Sequence, residues 1–419
     1  MIFGLLNSLM LGAIAQESPV EVHADLKSFF ITGFPYEHII MPDGAYGQGF
    51  VDGRLKVDWQ GRYLQFQGHH AITLGTPPPQ SQLQEQLEAM GVESASSSLM
   101  MTGVGLQAPE AIELSWRAFE EDDLFVQGRT DRFYLQGDIQ NVTFRLGRQP
   151  ISFGHGMMFN PMDLVQPFSV ATIDSEYKPG LDALRLDGYL GMTTQLTGVV
   201  AYSGSWDVEG MTAVLNLNNT IAWTDISLFG GLVRSDRVIG VGLSSSIAAV
   251  GLHSDVTLTF PNEDDSNIKE DPFVRAVLGS FWQPFEKTTL SSEYYYQSLG
   301  ASKPNQYLDF AQSDRYARGE TWLLGQQYLA ISVAQQFHPL MSGNIGMIGN
   351  LLDRSFLLSP SFVYSVSDEV SMVMGGYMGI GKHPLQTTFS EILLQKPIEI
   401  QNEFGMMSVS GFMQIKTYY

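Results

Sequence analysis

Hydrophobic and polar side chains alternate at the end of the chain, in the segment SVSGFMQIKTYY that closes at Tyr419. Alternation at every second residue is typical of a β-strand with two unlike faces. Strands of soluble proteins average about 5–6 residues, whereas a strand that crosses a bilayer obliquely needs about 9–11. The pattern therefore predicts a final strand long enough to span a membrane. Its mostly apolar face carries Met407, Val409, Gly411, Met413, Ile415, Thr417 and Tyr419.

The same alternation recurs along most of the chain. In FVDGRLKVDW, Val51 and Leu55 share one face, while Asp52 and Arg54 take the other. The segments EVSMVMGGYMGI and LLGQQYLAISVAQQF follow the same pattern, as does the segment at residues 110–120. Membrane barrels of bacteria have an even number of antiparallel strands. The recurrence predicts an all-β transmembrane antiparallel barrel of about 18 strands, within a range of roughly 16 to 20.

The connections between the predicted strands alternate in length towards the C-terminus. Short turns such as QPFEK, FHPL and VSDE separate long polar loops at 261–272, 300–321 and 381–401. Short turns at one end and long loops at the other are typical of outer-membrane barrels. The alternative is a soluble β-sandwich, solenoid or tandem β-domains. The polar faces carry more charged and amide side chains than a packed interior could satisfy, which favours the membrane barrel.

The N-terminal stretch MIFGLLNSLMLGAIAQES is apolar over residues 3–15 and ends in the pattern AIA. Such a stretch is too short for a spanning helix and is typical of a cleaved export signal, although basic residues are missing at its start. We therefore expect a signal peptide at 1–15, followed by a single outer-membrane barrel domain at 16–419. The alternative is that the stretch forms a buried helix or strand.

Composition narrows the classes of function. Only 16% of the 419 residues are charged, against about 25% in soluble domains. The net charge of −21 disfavours nucleic-acid binding, which needs a basic surface. It is compatible with a lumen that attracts cations or with acidic loops. Cysteine is absent, so disulfides and thiolate chemistry are excluded, and no cofactor or metal site is predicted.

One segment resembles a known family. The spacing of LGRQ (146–149), SFGHG (152–156), NPMD (160–163) and KPGLDALR (178–185) is similar to a segment in porin-like outer-membrane barrels of Gram-negative bacteria, many of them uncharacterised. The resemblance implies a barrel in the bacterial outer membrane and leaves the substrate undefined. The terminal Tyr419 looks like the sorting signal that the barrel-assembly machinery reads.

The resemblance also implies partners. An outer-membrane barrel contacts outer-membrane lipids and lipopolysaccharide, meets the barrel-assembly machinery during biogenesis, and passes small hydrophilic solutes. Many porins are homotrimers, and the sequence contains no patch that diagnoses such an assembly.

The long loop at 149–181 contains many apolar side chains, among them Met157, Met158, Phe159, Leu164, Val165 and Phe168. A loop of this length and content is more often a functional element than a mobile one. We expect it to fold into the barrel and narrow the pore. The alternative is a lid on the outer surface.

The positions of charged residues predict which of them line the lumen. Four arginines, Arg117, Arg132, Arg145 and Arg185, have inward parity on what the pattern predicts to be consecutive strands, with Asp138 and Asp187 among them. Acidic residues occupy later strands (Asp225, Asp255 and Glu293) and the long loop (Asp163, Asp174 and Glu176). A basic wall opposite acidic groups would place a transverse field across the constriction. The alternative is that the arginines merely pair with Asp138 and Asp187.

The sequence supports an enzymatic function less well than a channel function. His155 lies near Ser152 and Asp163 in sequence, but a triad is defined by geometry, and no G-x-S-x-G motif is present. His69 and His70 point to opposite faces of a strand and cannot share a metal ion. We therefore predict a passive channel for small hydrophilic solutes or ions, and no enzyme. The alternatives are a plugged barrel serving as receptor, adhesin or structural protein, and a barrel-embedded lipid hydrolase.

Overall fold

A computed structural model describes residues 19–77, 79–81, 85–86, 89, 109–121, 124–165, 177–262, 271–385, 388, 390 and 399–419. The predicted signal peptide at 1–15 lies outside these residues. The strands are β1 (Val20–Phe34), β2 (Tyr46–Gln60), β3 (Leu64–Gly75), β4 (Trp116–Glu121), β5 (Leu124–Ile139), β6 (Val142–Gln149), β7 (Leu181–Leu190), β8 (Thr194–Tyr202), β9 (Met211–Ile221), β10 (Thr224–Val233), β11 (Asp236–Ile247), β12 (Val250–Phe260), β13 (Phe273–Phe285), β14 (Thr288–Gln297), β15 (Gln327–His338), β16 (Met341–Asn350), β17 (Ser355–Ser365), β18 (Val370–Ile380) and β19 (Val409–Tyr418).

The described helices are short and lie in loops. Between β14 and β15 a 3₁₀ turn (Pro304–Gln306) leads into α1 (Tyr307–Ala311) and α2 (Asp314–Ala317), and a second 3₁₀ turn (Phe404–Met406) precedes β19. Within the described residues, none of these helices has the length and apolar character needed to cross a membrane.

The strands close into a ring of eighteen, which confirms the predicted antiparallel barrel and its strand number. Neighbours along the chain pair antiparallel, and β1 pairs with both β2 and β19. The seam is closed at its end by two backbone hydrogen bonds between Ala24 and Tyr419, of 2.8 and 3.1 Å. A closed ring leaves no unpaired strand edge in the bilayer, which is the condition for a sheet to span it.

The strand β4 lies outside this ring. β3 pairs directly with β5, and β4 pairs only with the start of β5, where Trp116 lies opposite Gly128. A Cβ at Gly128 would stand 2.2 Å from the Trp116 ring, so the glycine makes room for the indole. The expectation of a spanning strand at 110–120 is therefore wrong, because only the six residues of β4 are extended there and they pair on one side only.

The apolar faces of the strands point outwards, as predicted. On β2, Val51 and Leu55 are exposed by 38% and 51%, whereas the alternating Asp52 and Arg54 are buried in the interior. On β11, Ile239, Val241 and Leu243 are likewise exposed to the outside. An exposed apolar belt around a polar interior is the arrangement that a hydrocarbon surround stabilises and that water does not.

Aromatic side chains collect near the short turns. Trp223, Trp282, Phe285 and Phe337 are all exposed close to the turns that follow β9, β13 and β15. Both described chain ends lie at this same end of the barrel, because Val20 pairs with Trp59 beside the first short turn. Such a girdle marks the membrane–water interface of outer-membrane barrels, and it places the long loops at the opposite end.

The loops at the far end fold back into the barrel. Tyr307, Leu323 and Phe404 are buried almost completely, although they belong to connections that look polar in sequence. Packing these side chains inside the barrel removes apolar surface from water, which outweighs the polar composition of the surrounding loop residues. Among the described residues, the connections between β6 and β7, β14 and β15, and β18 and β19 therefore occupy part of the interior.

We expect the outward faces to tolerate charge according to depth. Replacing Leu228, an exposed residue in the middle of β10, by arginine should lower the free energy of unfolding by about 2–4 kcal/mol in a bilayer. Leu190→Arg, next to a short turn, should cost about 0–1 kcal/mol. Urea titrations in lipid vesicles measure both values, and equal costs at the two sites would contradict the assignment of the outer face.

Candidate pore constriction

The connection between β6 and β7 enters the barrel immediately after β6, and we call residues 150–165 the constriction loop. The Asn160 side chain fixes its bend, donating to the Phe153 carbonyl over 2.8 Å and accepting from the Met162 amide over 3.1 Å. Gly154 has a φ of +92°, and a Cβ there would stand 2.3 Å from the Asn160 side-chain oxygen. The motifs SFGHG and NPMD are thus two halves of one turn.

Asp255, on the inner face of β12, holds the first part of the constriction loop. Its carboxylate is fully buried and accepts the backbone amides of His155 and Gly156 over 2.6 and 2.9 Å. The His155 ring lies 3.0 Å from the other carboxylate oxygen, and this hydrogen bond raises the pKa of His155. Hydrogen bonds to an ionised acceptor are roughly twice as strong as neutral ones.

Glu293, on the inner face of β14, holds the second part. It accepts three successive amides, from Met157, Met158 and Phe159, over 2.6, 3.0 and 2.8 Å. The ring of His253 lies 2.8 Å from the same carboxylate. Successive backbone amides that converge on one anion form a nest. Two buried carboxylates therefore fasten the constriction loop to the wall.

Apolar contacts complete the attachment. Phe159 stacks on Tyr295, with ring centroids 5.0 Å apart, and Trp322 of the second interior connection lies 6.2 Å from it. Ile151 and Met162 are fully buried against the opposite side of the barrel. Phe159, Leu164 and Val165 are buried as the predicted inward fold requires, whereas Met157 is 59% exposed. Phe168 lies outside the described residues.

The acidic residues of the loop are only partly described. Both oxygens of Asp163 lie 2.6 Å from the Lys178 ammonium. Burial raises the pKa of Asp163 to about 6, and the lysine opposes this shift. Asp174 and Glu176, which were predicted to add charge to the loop, lie outside the described residues.

Three of the predicted arginines stand in the wall. Arg132 donates to the Lys178 carbonyl over 2.8 Å. Arg145 donates to the neutral side chain of Gln136 over 2.6 Å. Arg185 pairs with Asp187 over 2.8 Å. The pairing of arginine with carboxylate that the sequence left open as an alternative is therefore realised at Arg185 and not at Arg145.

Of the other predicted charges, Asp225 lies beside the constriction loop, where it lines a cavity together with His155. Asp138 and Asp225 are exposed next to short turns, where Thr143 and Thr220 donate to them over 2.5 and 2.6 Å. Arg117 is exposed on β4, outside the ring of wall strands. The structure thus places three of the four arginines on consecutive wall strands, because β4 does not belong to the wall.

Arg132 belongs to a basic cluster with residues of β1 and β2 that the sequence analysis does not predict. The Tyr177 ring lies under the Arg54 guanidinium, 3.8 Å from its centroid, and within 5.7 Å of Lys27, Lys56 and Arg132. Strand parity identifies Arg54 and Lys56 as inward residues, but it cannot locate Tyr177, which comes from a distant loop. Cations over an aromatic face are attracted by its quadrupole.

The same cluster contains its own counter-charges. Arg54 pairs with the buried Asp131 over 2.9 Å, and Lys56 pairs with Asp25. A register shift in the pairing of β3 with β5 turns both Asp131 and Arg132 inwards. Strict alternation assigns only one of these two neighbours to the lumen, so the sequence pattern does not reveal this ion pair.

The residues considered for catalysis are not assembled as a triad. His155 pairs with Asp255, and Asp163 pairs with Lys178. Within the ranges that the structure describes, no group of three or more metal-ligating side chains converges on one point.

A second buried carboxylate network joins the other two interior connections. Glu403 is almost fully buried and accepts the Leu324 amide and the Asn350 side chain, each over 2.8 Å, as well as the Tyr328 hydroxyl. Burial raises the pKa of Glu403 to about 7. Sequence patterns do not reveal this network, because Glu403 lies in a connection without strand periodicity.

Two cavities open inside the barrel beside the constriction loop. The main cavity, of about 740 Å³, lies between the loop and the inner faces of β16 to β19. The second cavity, of about 260 Å³, lies between the loop and the inner faces of β7 to β10. Ser152 lines both. The loop therefore separates two cavities that share one lining residue.

The fold is that of outer-membrane porins. The BenF-like porin from Pseudomonas fluorescens Pf-5 is similar with a TM-score of 0.56 and 8% identity, covering 95% of this chain and 98% of that chain. OccAB1 of Acinetobacter baumannii is similar with a TM-score of 0.55 and 8% identity, covering 96% of this chain and 98% of that chain. OccK9 (OpdG) of Pseudomonas aeruginosa is similar with a TM-score of 0.55 and 10% identity, covering 95% of this chain and 98% of that chain. The resemblance to porin-like barrels is confirmed at the level of the fold.

Sequence comparison adds nothing further. No protein-family model matches the chain, and no curated protein sequence is similar to it.

Glu293→Gln should loosen the constriction loop, since the anion that three amides share becomes a neutral acceptor. A hydrogen bond to a charged group contributes about 1.5–3 kcal/mol, so the amides of Met157, Met158 and Phe159 should exchange with deuterium at least about tenfold faster. Glu286→Gln, in a turn after β13, is the matched control. Equal protection in wild type and Glu293→Gln would show that the nest does not hold the loop.

Glu403 should make stability depend on pH. A carboxyl group with a higher pKa in the folded state than in the unfolded state contributes stability that is fully present below its unfolded-state pKa. This contribution is lost as the pH rises through its folded-state pKa. The melting temperature should therefore fall from pH 5 to pH 8 by more in wild type than in Glu403→Gln. Glu399→Gln, an exposed neighbour, should behave as wild type. Identical pH profiles for wild type and Glu403→Gln would refute this assignment.

Proposed function

We propose that the protein is a channel of the bacterial outer membrane that lets small hydrophilic solutes or ions diffuse through a barrel narrowed by the constriction loop. The observation that carries the proposal is the combination of an apolar outer belt with a polar interior crossed by a fastened loop. An apolar belt needs hydrocarbon outside, and cavities lined by charged, amide and hydroxyl groups hold water inside. The chemistry required of the protein is positioning alone, so the proposal includes no catalytic step.

The wall arginines support a preference among ions. Arg145 bonds only to the neutral Gln136 within the described residues and lies 4.8 Å from the centroid of the Tyr134 ring. Its charge is thus less compensated than that of Arg185, which pairs with Asp187. An uncompensated charge on the wall of a narrow lumen attracts counter-ions and repels ions of its own sign. This is a smaller field than a full basic wall facing an acidic one.

The proposal is tested by current through single molecules. Purified protein reconstituted in a planar bilayer should give discrete open-channel steps, and absence of steps from correctly folded protein would favour the plugged receptor, adhesin or structural barrel instead.

Arg145→Glu should shift the reversal potential in a tenfold salt gradient towards cation selectivity, because it reverses a charge in the lumen. Arg117→Glu makes the same change on β4, outside the wall, and should leave the reversal potential at the wild-type value. If both variants keep the wild-type value, the arginine row does not act on permeating ions.

A further inference from the structure

The side chain of Gln414 has an unsatisfied hydrogen-bond donor inside the barrel. It lies on the inner face of β19 and lines the main cavity, with only 1% of its surface exposed. Among the described residues its side-chain nitrogen has no hydrogen-bond partner. Buried amide donors in native proteins are almost always paired with protein, water or ligand. Because Gln414 lines the main cavity, a ligand bound there would supply the missing acceptor atom.

Neutral polar groups surround this donor. Asn344 on β16 accepts from Ser332 through its carbonyl oxygen over 2.6 Å, which leaves its NH₂ group for another partner. Ser359 and Ser361 on β17 line the same cavity. Amide and hydroxyl groups both donate and accept hydrogen bonds, so they complement ligand hydroxyls, which do the same.

The charged groups at the main cavity are already engaged. Asp163 is paired with Lys178 at 2.6 Å, and Arg275 is paired with Glu320 at 3.3 Å. Lys416 also has an interaction partner. Removing a partner from a desolvated pair leaves the other charge uncompensated, which is costly. A charged ligand would have to compete with these pairs, whereas an uncharged ligand leaves them intact.

Aromatic rings supply the apolar part of the cavity. Tyr377 and Phe412 lie 5.7 Å apart, and Trp322 faces the cavity from the second interior connection. Ligand sites combine apolar and aromatic walls with a few placed polar groups, in volumes of about 300–1,000 Å³. The main cavity, of about 740 Å³, meets this description. Rings beside amide groups fit a compound with both C–H faces and hydroxyl edges.

We propose that the main cavity is a binding site for uncharged, polyhydroxylated solutes of sugar-like chemistry, and that Gln414 and Asn344 donate hydrogen bonds to their oxygens. This inference rests on the proposed channel function and names the solute class that the channel selects.

Glucose is the probe, and glucuronate, in which a carboxylate replaces the terminal CH₂OH, is its charged counterpart. Glucose added to an open channel in a planar bilayer should reduce the current in a saturable way, at lower concentration than glucuronate. Gln414→Leu should raise the half-blocking concentration of glucose by about 2- to 12-fold, the effect of one neutral hydrogen bond. Gln65→Leu, the same change on β3 away from both cavities, is the control and should match wild type.

The outcomes separate the two proposals. A folded protein that gives no current overturns the channel function itself. A conducting channel that glucose does not block, or that glucuronate blocks at lower concentration than glucose, overturns only the solute class. If Gln414→Leu fails to fold, Asn344→Leu replaces it with the same expected direction, and wild-type sensitivity in the folded variant overturns the site.

Discussion

The interior of the barrel depends on how the backbone of the constriction loop is hydrogen-bonded. Irregular backbone at membrane depth is tolerated only when protein or water satisfies its amides. Here five amides, those of residues 155–159, are taken by the carboxylates of Asp255 and Glu293. The two acids are buried in the barrel wall beneath the loop, where their charges stabilise the loop backbone. The shape of the lumen follows from this attachment.

Pairing of charged groups also keeps the electric field in the lumen moderate. Inward charges are numerous, but most of the described ones are paired, as Arg54 is with Asp131 and Lys178 is with Asp163. Paired charges rigidify the wall while cancelling much of each other's field. The main cavity is lined by the Lys178–Asp163 pair, Lys416, amides, hydroxyls, aromatic rings and aliphatic side chains such as Val363. A barrel can therefore be rich in inward charge and still offer a nearly neutral compartment.

Strand periodicity predicts the wall well, because each wall strand has one face towards lipid and the other face towards the lumen. Val51 and Arg54 could be assigned to their faces for this reason. The pattern fails at 110–120, where alternation continues although β4 pairs on one side only. Pairings inside the lumen are also beyond it, since Asp255 and His155 are a hundred residues apart and Glu403 has no periodic context. Loops that fill a barrel follow three-dimensional fit, which local pattern does not encode.

The most direct test of the account is the conductance of a double variant, Asp255→Asn with Glu293→Gln, in planar bilayers. Both substitutions keep the size of the side chains and remove the charges that hold the loop. If the carboxylates fix the constriction, the folded variant will show larger and noisier current steps than wild type. Steps of wild-type size and stability would contradict the account, because the loop would then keep its place without them.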